Sequence, residues 1–117
     1  IKDKKYNITK KILTNQILFG LKNIKNIKNI IFAYEPVWSI GTGVVPTNLE
    51  LKKNVSFIKQ LLKKKFKSNN ANVLYGGSVN PKNISELSNI NEINGFLIGG
   101  ASQNSNKFID IIKKTYT

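Results

Sequence analysis

The chain has 117 residues, neither Cys nor His, and nineteen basic against six acidic residues, for a formal net charge of +13. That length supports one small domain, and the missing residue types exclude a disulfide framework, a thiol nucleophile and imidazole acid-base or metal chemistry within the chain. Every basic residue is Lys, so the bidentate Arg readout typical of sequence-specific nucleic-acid binding is excluded too, and the surplus of Lys, Asn and Ile matches A/T-rich coding better than selection for a polyanion.

Taken in chain order, Ile8, Ile12, Leu13, Ile17 and Leu21 recur at helical spacing, which predicts an outer helix from Asn7, its N-cap, to about Leu21, ending near Gly20. Three copies of Lys-Asn-Ile follow over residues 22–30. A period of three suits neither helix nor strand, and this stretch reads as a linker of low complexity. Ile30 to Tyr34 is an apolar, β-branched and aromatic run, the first buried strand. Thr47-Asn48-Leu49-Glu50 has the form of a capping box, and the helix it opens runs to about Phe66 with Leu51, Val55, Ile58 and Leu62 on one face.

Asn72 to Tyr75 reads as a second strand, closed by Gly76-Gly77-Ser78. Asn80-Pro81 opens a short helix that carries Ile84 and Leu87 inward, with Pro at the first helical position. Gly95 to Ile98 is a third strand, closed by Gly99-Gly100, and a last helix spans about Ser105 to Lys114, packing through Phe108, Ile109, Ile111 and Ile112. Strands alternating with helices at this spacing imply parallel strands, in an open α/β sheet or a (β/α) barrel.

Two stretches carry chemistry. In the first, Ala33 to Gly43, a single carboxylate, Glu35, stands where a strand stops; Pro36 forces the chain out of the sheet, Val37 and Trp38 follow, and Gly41-Thr42-Gly43 ends the loop. A carboxylate at a strand end followed by an apolar loop with a Gly-rich close is the layout of a general base beneath a lid. In the second, the Gly-rich turns after the later two strands expose backbone N–H groups that cradle an anion without a cationic side chain, with Ser78 adding a hydroxyl. The six acids, Asp3, Glu35, Glu50, Glu86, Glu92 and Asp110, show no metal-ligand spacing, so neither a metal nor a cofactor is expected.

The run AYEPVWSIGTG from Ala33 to Gly43 closely resembles the signature AYEPVWAIGTG of triosephosphate isomerase, departing only at Ser39. VLYGGSVN from Val73 is similar to that family's ILYGGSV, GFLIGGAS from Gly95 resembles its GxLVGGAS, and Gln16 falls where the family has a Gln in its outer helix. The likeness covers about Thr9 to Ile112 and implies the C-terminal part of a (β/α)8 TIM barrel, strands six to eight with their helices, as one partial domain over residues 1–117 whose N-terminal half lies outside the chain.

By that resemblance Glu35 is the base that moves a proton between two carbons of a small phosphorylated triose. Gly41, Ser78, Gly99 and Gly100 hold its phosphate, and Pro36, Val37, Trp38, Ser39, Ile40, Gly41, Thr42 and Gly43 form the lid. The resemblance also implies a homodimer for the full-length protein, while the family's catalytic lysine and histidine belong to the other half. Departures stand at Lys59 and Asn94, where the family has an Arg and an Asp that pair. Another is Pro46, which has no N–H to give to the Tyr75 hydroxyl in the closed lid, leaving the Ser78 to Gly43 bond as the latch.

Three strands cannot close a barrel, so their inward side chains are expected to be exposed. The competing reading is a non-catalytic remnant of a TIM barrel that binds phosphate or polyanions. The chain starts at Ile1 with no Met, no signal-like run and no membrane-length apolar stretch, so it reads as soluble or as a piece of something longer. Neither a membrane nor a specific nucleic acid is expected as partner. The cytoplasm is the expected compartment, with an organelle such as a plastid the other one compatible with this sequence.

Overall fold

The computed structural model describes residues 2–36 and 46–116, and the side chains from Tyr6 onward. The elements run α1 (Lys2–Gly20), β1 (Ile31–Tyr34), α2 (Asn48–Phe66), β2 (Asn72–Tyr75), α3 (Ile84–Leu87), β3 (Gly95–Phe96), a 3-10 turn (Gly100–Gln103) and α4 (Ser105–Thr115). The three strands form one parallel sheet in the order β1-β2-β3. Tyr34 stands beside Tyr75, and Leu74 beside Gly95.

Helix α2 forms as its sequence dictates. The Thr47 hydroxyl accepts the Glu50 N–H at 3.1 Å, Glu50 sits in the first turn and Lys63, Lys64 and Lys65 in the last, so both ends suit the helix dipole. Leu51, Val55, Ile58 and Leu62 form its buried stripe. It stops at Lys67, which takes a left-handed conformation at φ 57° and donates its N–H to the Lys63 carbonyl at 2.8 Å.

Before α3, the Asn80 side-chain oxygen accepts N–H bonds from Lys82 and Asn83 at 2.8 and 3.0 Å. Asn80 thus caps a turn through Pro81, and the helix proper begins only at Ile84. Ile84 and Leu87 are buried as the spacing required.

One face of the sheet is covered and the other is not. Phe32, Tyr34, Val73 and Tyr75 pack toward the helices, in two clusters: one with α1 and α2 through Leu13, Val55 and Leu62, the other with α3 and α4 through Ile84, Leu87 and Ile111. On the opposite face Ile31 is 65% exposed and Ala33 is exposed, as expected of strands cut from a barrel. The result is a slab of 41 × 37 × 22 Å with a radius of gyration of 14.8 Å, where a compact domain of this length has about 13.4 Å.

Six expectations need correcting. Strand β1 has no buried residue, its side chains alternating exposed and half-buried because only one sheet face is covered, and β3 ends at Phe96, short of Ile98. Helix α1 starts at Lys2, so Asn7 lies inside it rather than capping it; the Lys-rich segment upstream continues a helix readily. Only Leu13 and Leu21 of its apolar positions are buried, with Ile17 partly so, while Ile8 and Ile12 are about half exposed, because α2 covers the stripe at 13, 17 and 21 alone. In α4, Ile111 is buried and Phe108 half-buried, but Ile109 and Ile112 face solvent. Finally, the Lys-Asn-Ile linker is not inert: Asn23 turns the chain at φ 69°, and Ile27 is buried in the first cluster.

At the family's ion-pair positions, among the described residues no bond joins Lys59 to Asn94. The Asn94 side-chain oxygen accepts the Val73 N–H at 2.9 Å while the Asn94 N–H donates to the Val73 carbonyl at 2.9 Å, extending the β2–β3 pairing. Partial burial lowers the Lys59 pKa from its usual 10.5, and the nearby Glu92 carboxylate opposes that shift.

Two outcomes check this packing in the protein that carries the chain. Leu62→Ala is expected to lower stability by about 2–5 kcal/mol, and Ile31→Ala on the bare face by less than about 0.5 kcal/mol, read from denaturant midpoints. Burial raises the Tyr34 pKa above 10.0, although its hydroxyl accepts an N–H from Asn54 at 3.0 Å, which lowers it. Because the folded pKa lies above the unfolded one, the Tyr34 contribution is present below pH 10 and lost as pH rises through the folded value. Tyr34→Phe should therefore remove a downward slope in stability above about pH 10.

Candidate active site

Parallel pairing of β1 with β2 decides where Glu35 lies. The Gly76 N–H donates to the Tyr34 carbonyl at 2.9 Å, continuing the pairing one residue past the strand ends. This brings Gly76 directly beneath the Glu35 side chain. A Cβ on Gly76 would lie 2.5 Å from the Glu35 Cγ and 3.0 Å from its Oε1, closer than any side chain tolerates. Glu35 itself is exposed and Pro36 buried.

Gly76 is also the first wall of an open cleft of about 730 Å³. Its walls are the two Gly-rich turns, Gly76-Gly77-Ser78 after β2 and Gly99-Gly100 after β3, with Lys82 and Lys107 beside them. These turns are held by their own bonds. The Ser78 carbonyl accepts from Asn83 Nδ2 at 3.1 Å, and the Gly99 carbonyl accepts both the N–H and the hydroxyl of Ser102. Among the described residues the N–H groups of Gly77, Gly99 and Gly100 have no acceptor within the chain. A fixed turn with unspent N–H groups has the donors that a preorganised anion site needs.

Of the residues singled out in the sequence, Ser78, Gly99 and Gly100 thus line one cleft, and Glu35 abuts its first wall through Gly76. The lid residues Val37, Trp38, Ser39, Ile40, Gly41, Thr42 and Gly43 lie outside the described residues, and with them the phosphate role of Gly41. Sequence reasoning named Gly77 only as part of its Gly-rich turn and passed over Lys82 and Lys107. The signal for Gly77 was its place in the same Gly-rich turn as Ser78, but nothing in one dimension marks two lysines 25 residues apart as neighbours of one cleft.

The family model described as triosephosphate isomerase matches residues 1–115. The chain belongs to the triosephosphate isomerase family. Curated relatives named triosephosphate isomerase include that of Thermodesulfovibrio yellowstonii, 43% identical over 113 residues, covering 95% of this chain and 46% of the relative. Those of a Bradyrhizobium species and of Mycoplasma mobile are 44% and 43% identical, covering 91% and 92% of this chain and 43% and 42% of their own lengths. The chain therefore spans less than half of the length of these relatives. A parallel α/β sheet bare on one face fits a fragment of the TIM barrel to which the family belongs.

The contact of Glu35 with Gly76 can be measured without any assay of activity. Gly76→Ala is expected to destabilise the protein by about 0.5–1.5 kcal/mol by forcing the exposed Glu35 side chain out of its rotamer. Combined with Glu35→Ala, which removes the Cγ it strikes, the loss should shrink, giving a coupling of at least about 0.5 kcal/mol in a double-mutant cycle. Additive effects would separate the two residues.

Proposed function

We propose that this chain is the part of a triosephosphate isomerase that supplies the catalytic base and the phosphate grip, corresponding to strands six to eight of the barrel with their helices. The reaction is the interconversion of glyceraldehyde 3-phosphate and dihydroxyacetone phosphate. The observation that carries the reading is the contact of Glu35 with Gly76, since it ties a strand-end carboxylate to the first residue of the anion cleft.

Chemically, moving a proton between the two carbons needs a base beside the carbon acid, a group that polarises the carbonyl, and a grip that fixes the substrate. Glu35 takes the proton from one carbon and returns it to the next. The N–H groups of Gly77, Gly99 and Gly100 and the Ser78 hydroxyl hold the phosphate, joined by Gly41 of the lid that closes over the site. The chain has no His, so the polarising group and the catalytic lysine come from the N-terminal half of the complete barrel. That half also covers the bare sheet face, and the complete enzyme is a homodimer of the cytoplasm or an organelle. With Pro46 in place of an N–H donor, the closed lid relies on the Ser78 to Gly43 bond, at a cost of about 1 kcal/mol in latch strength.

Glu35→Gln keeps the shape and removes the base. In the complete enzyme it should lower kcat by on the order of 10²–10⁴ while folding and affinity for inorganic phosphate stay near wild type. Unchanged turnover would remove Glu35 from the mechanism, and lost folding would make it a structural residue.

A further inference from the structure

The cleft carries more positive charge than main-chain donors alone supply. Lys82, in the capped turn before α3, and Lys107, in the first turn of α4, both line it with the Gly-rich turns. Among the described residues no carboxylate lines it, Glu35 only abutting Gly76 at its edge, and neither ammonium forms a salt bridge. Lys114, which bonds Pro81 of the cleft wall from outside it, is already engaged: it pairs with Asp110 at 3.3 Å and donates to the Pro81 carbonyl at 3.0 Å.

Lys107 is also poorly placed for its own helix. A cation in the first turn faces the positive end of the helix dipole, a position that favours Asp or Glu by about 0.3–1 kcal/mol. Its backbone N–H is used in the cap, donating to Asn104 Oδ1 at 3.0 Å, so what Lys107 offers the cleft is its ammonium. The Lys82 N–H is spent on Asn80 in the same way. Charge that works against local helix stability and gathers at one concave surface is placed where it acts on an anion.

We propose that Lys82 and Lys107 are specificity-determining residues of the phosphate cleft, recruiting multiply charged anions by long-range attraction while the glycine N–H groups hold the phosphate in contact. This rests on the reading of the cleft as a phosphate site. Two ammonium groups within a Debye length of a dianion raise affinity strongly at low ionic strength and little at high, whereas direct N–H contacts are screened far less.

The probe is inorganic phosphate, titrated calorimetrically into the complete protein at about 10 mM and about 1 M ionic strength, where the Debye lengths are about 30 and 3 Å. The double variant Lys82→Gln, Lys107→Gln should bind about tenfold more weakly than wild type at low salt and within about twofold at high salt. Lys82→Arg with Lys107→Arg should restore the wild-type salt dependence, and Ser78→Ala should weaken binding at both salts. Wild-type affinity of the Gln variant at low salt, with Ser78→Ala still impaired, overturns the role of the lysines and leaves the cleft reading intact. A loss of equal size at both salts also overturns it, since that marks packing and not charge. If the wild-type protein binds no phosphate at either salt, the cleft reading and this proposal fall together.

Discussion

The placement of Glu35 against the cleft depends on the register between β1 and β2. Parallel pairing puts Tyr34 beside Tyr75 and lets the Gly76 N–H reach the Tyr34 carbonyl. Glu35, the next residue on β1, then falls on Gly76 with no room for a Cβ between them. In a parallel sheet both strands end at the same edge, so the carboxylate and the Gly-rich turn emerge together. A slip of one residue would turn Glu35 to the helix face, where its charge would meet the buried aromatic and aliphatic cluster.

The same edge gathers the two Gly-rich turns. Because β3 is also parallel, the turn after it opens beside the turn after β2, and the N–H groups of Gly77, Gly99 and Gly100 come to line one cleft. Side-chain bonds from Asn83, Ser102 and Asn104 fix these turns before any ligand arrives. That order of events matters energetically, since donors already held in place lose little freedom when an anion binds. Lys82 and Lys107 line the same cleft, and on our proposal their charge acts beyond hydrogen-bond distance and is screened by salt.

The energetic weight of the fold lies on the opposite side. Buried apolar residues from all four helices cover one face of the sheet, while Ile31 and Ala33 on the other remain open. A sheet that keeps apolar residues on an uncovered face is half of a two-sided arrangement, in keeping with a chain that spans less than half of its relatives' length. At the two positions where the resemblance implied an ion pair, both outside this core, the chain makes other contacts. Asn94 bonds the β2 backbone, and Glu92 pairs with Lys52 at 3.9 Å.

The sequence by itself determined the parts whose causes are local. The capping box at Thr47, the stripe from Leu51 to Leu62, the strand Asn72–Tyr75 and the alternation of strand and helix all follow from nearest-neighbour chemistry and periodicity. The end of β1 at Tyr34 was legible in the same way, since Pro36 cannot donate to a ladder. What only the tertiary structure decided depends on which element covers which. Helix α1 has apolar residues on more of its surface than α2 can reach, so Ile8 and Ile12 stay exposed though their spacing matches that of the buried positions. Ile27, in a repeat that looked inert, is buried because the linker happens to cross the first cluster. The meeting of Lys82 with Lys107 across one cleft was equally invisible, because proximity between distant residues is made by the pairing of strands and not by any property of the residues themselves.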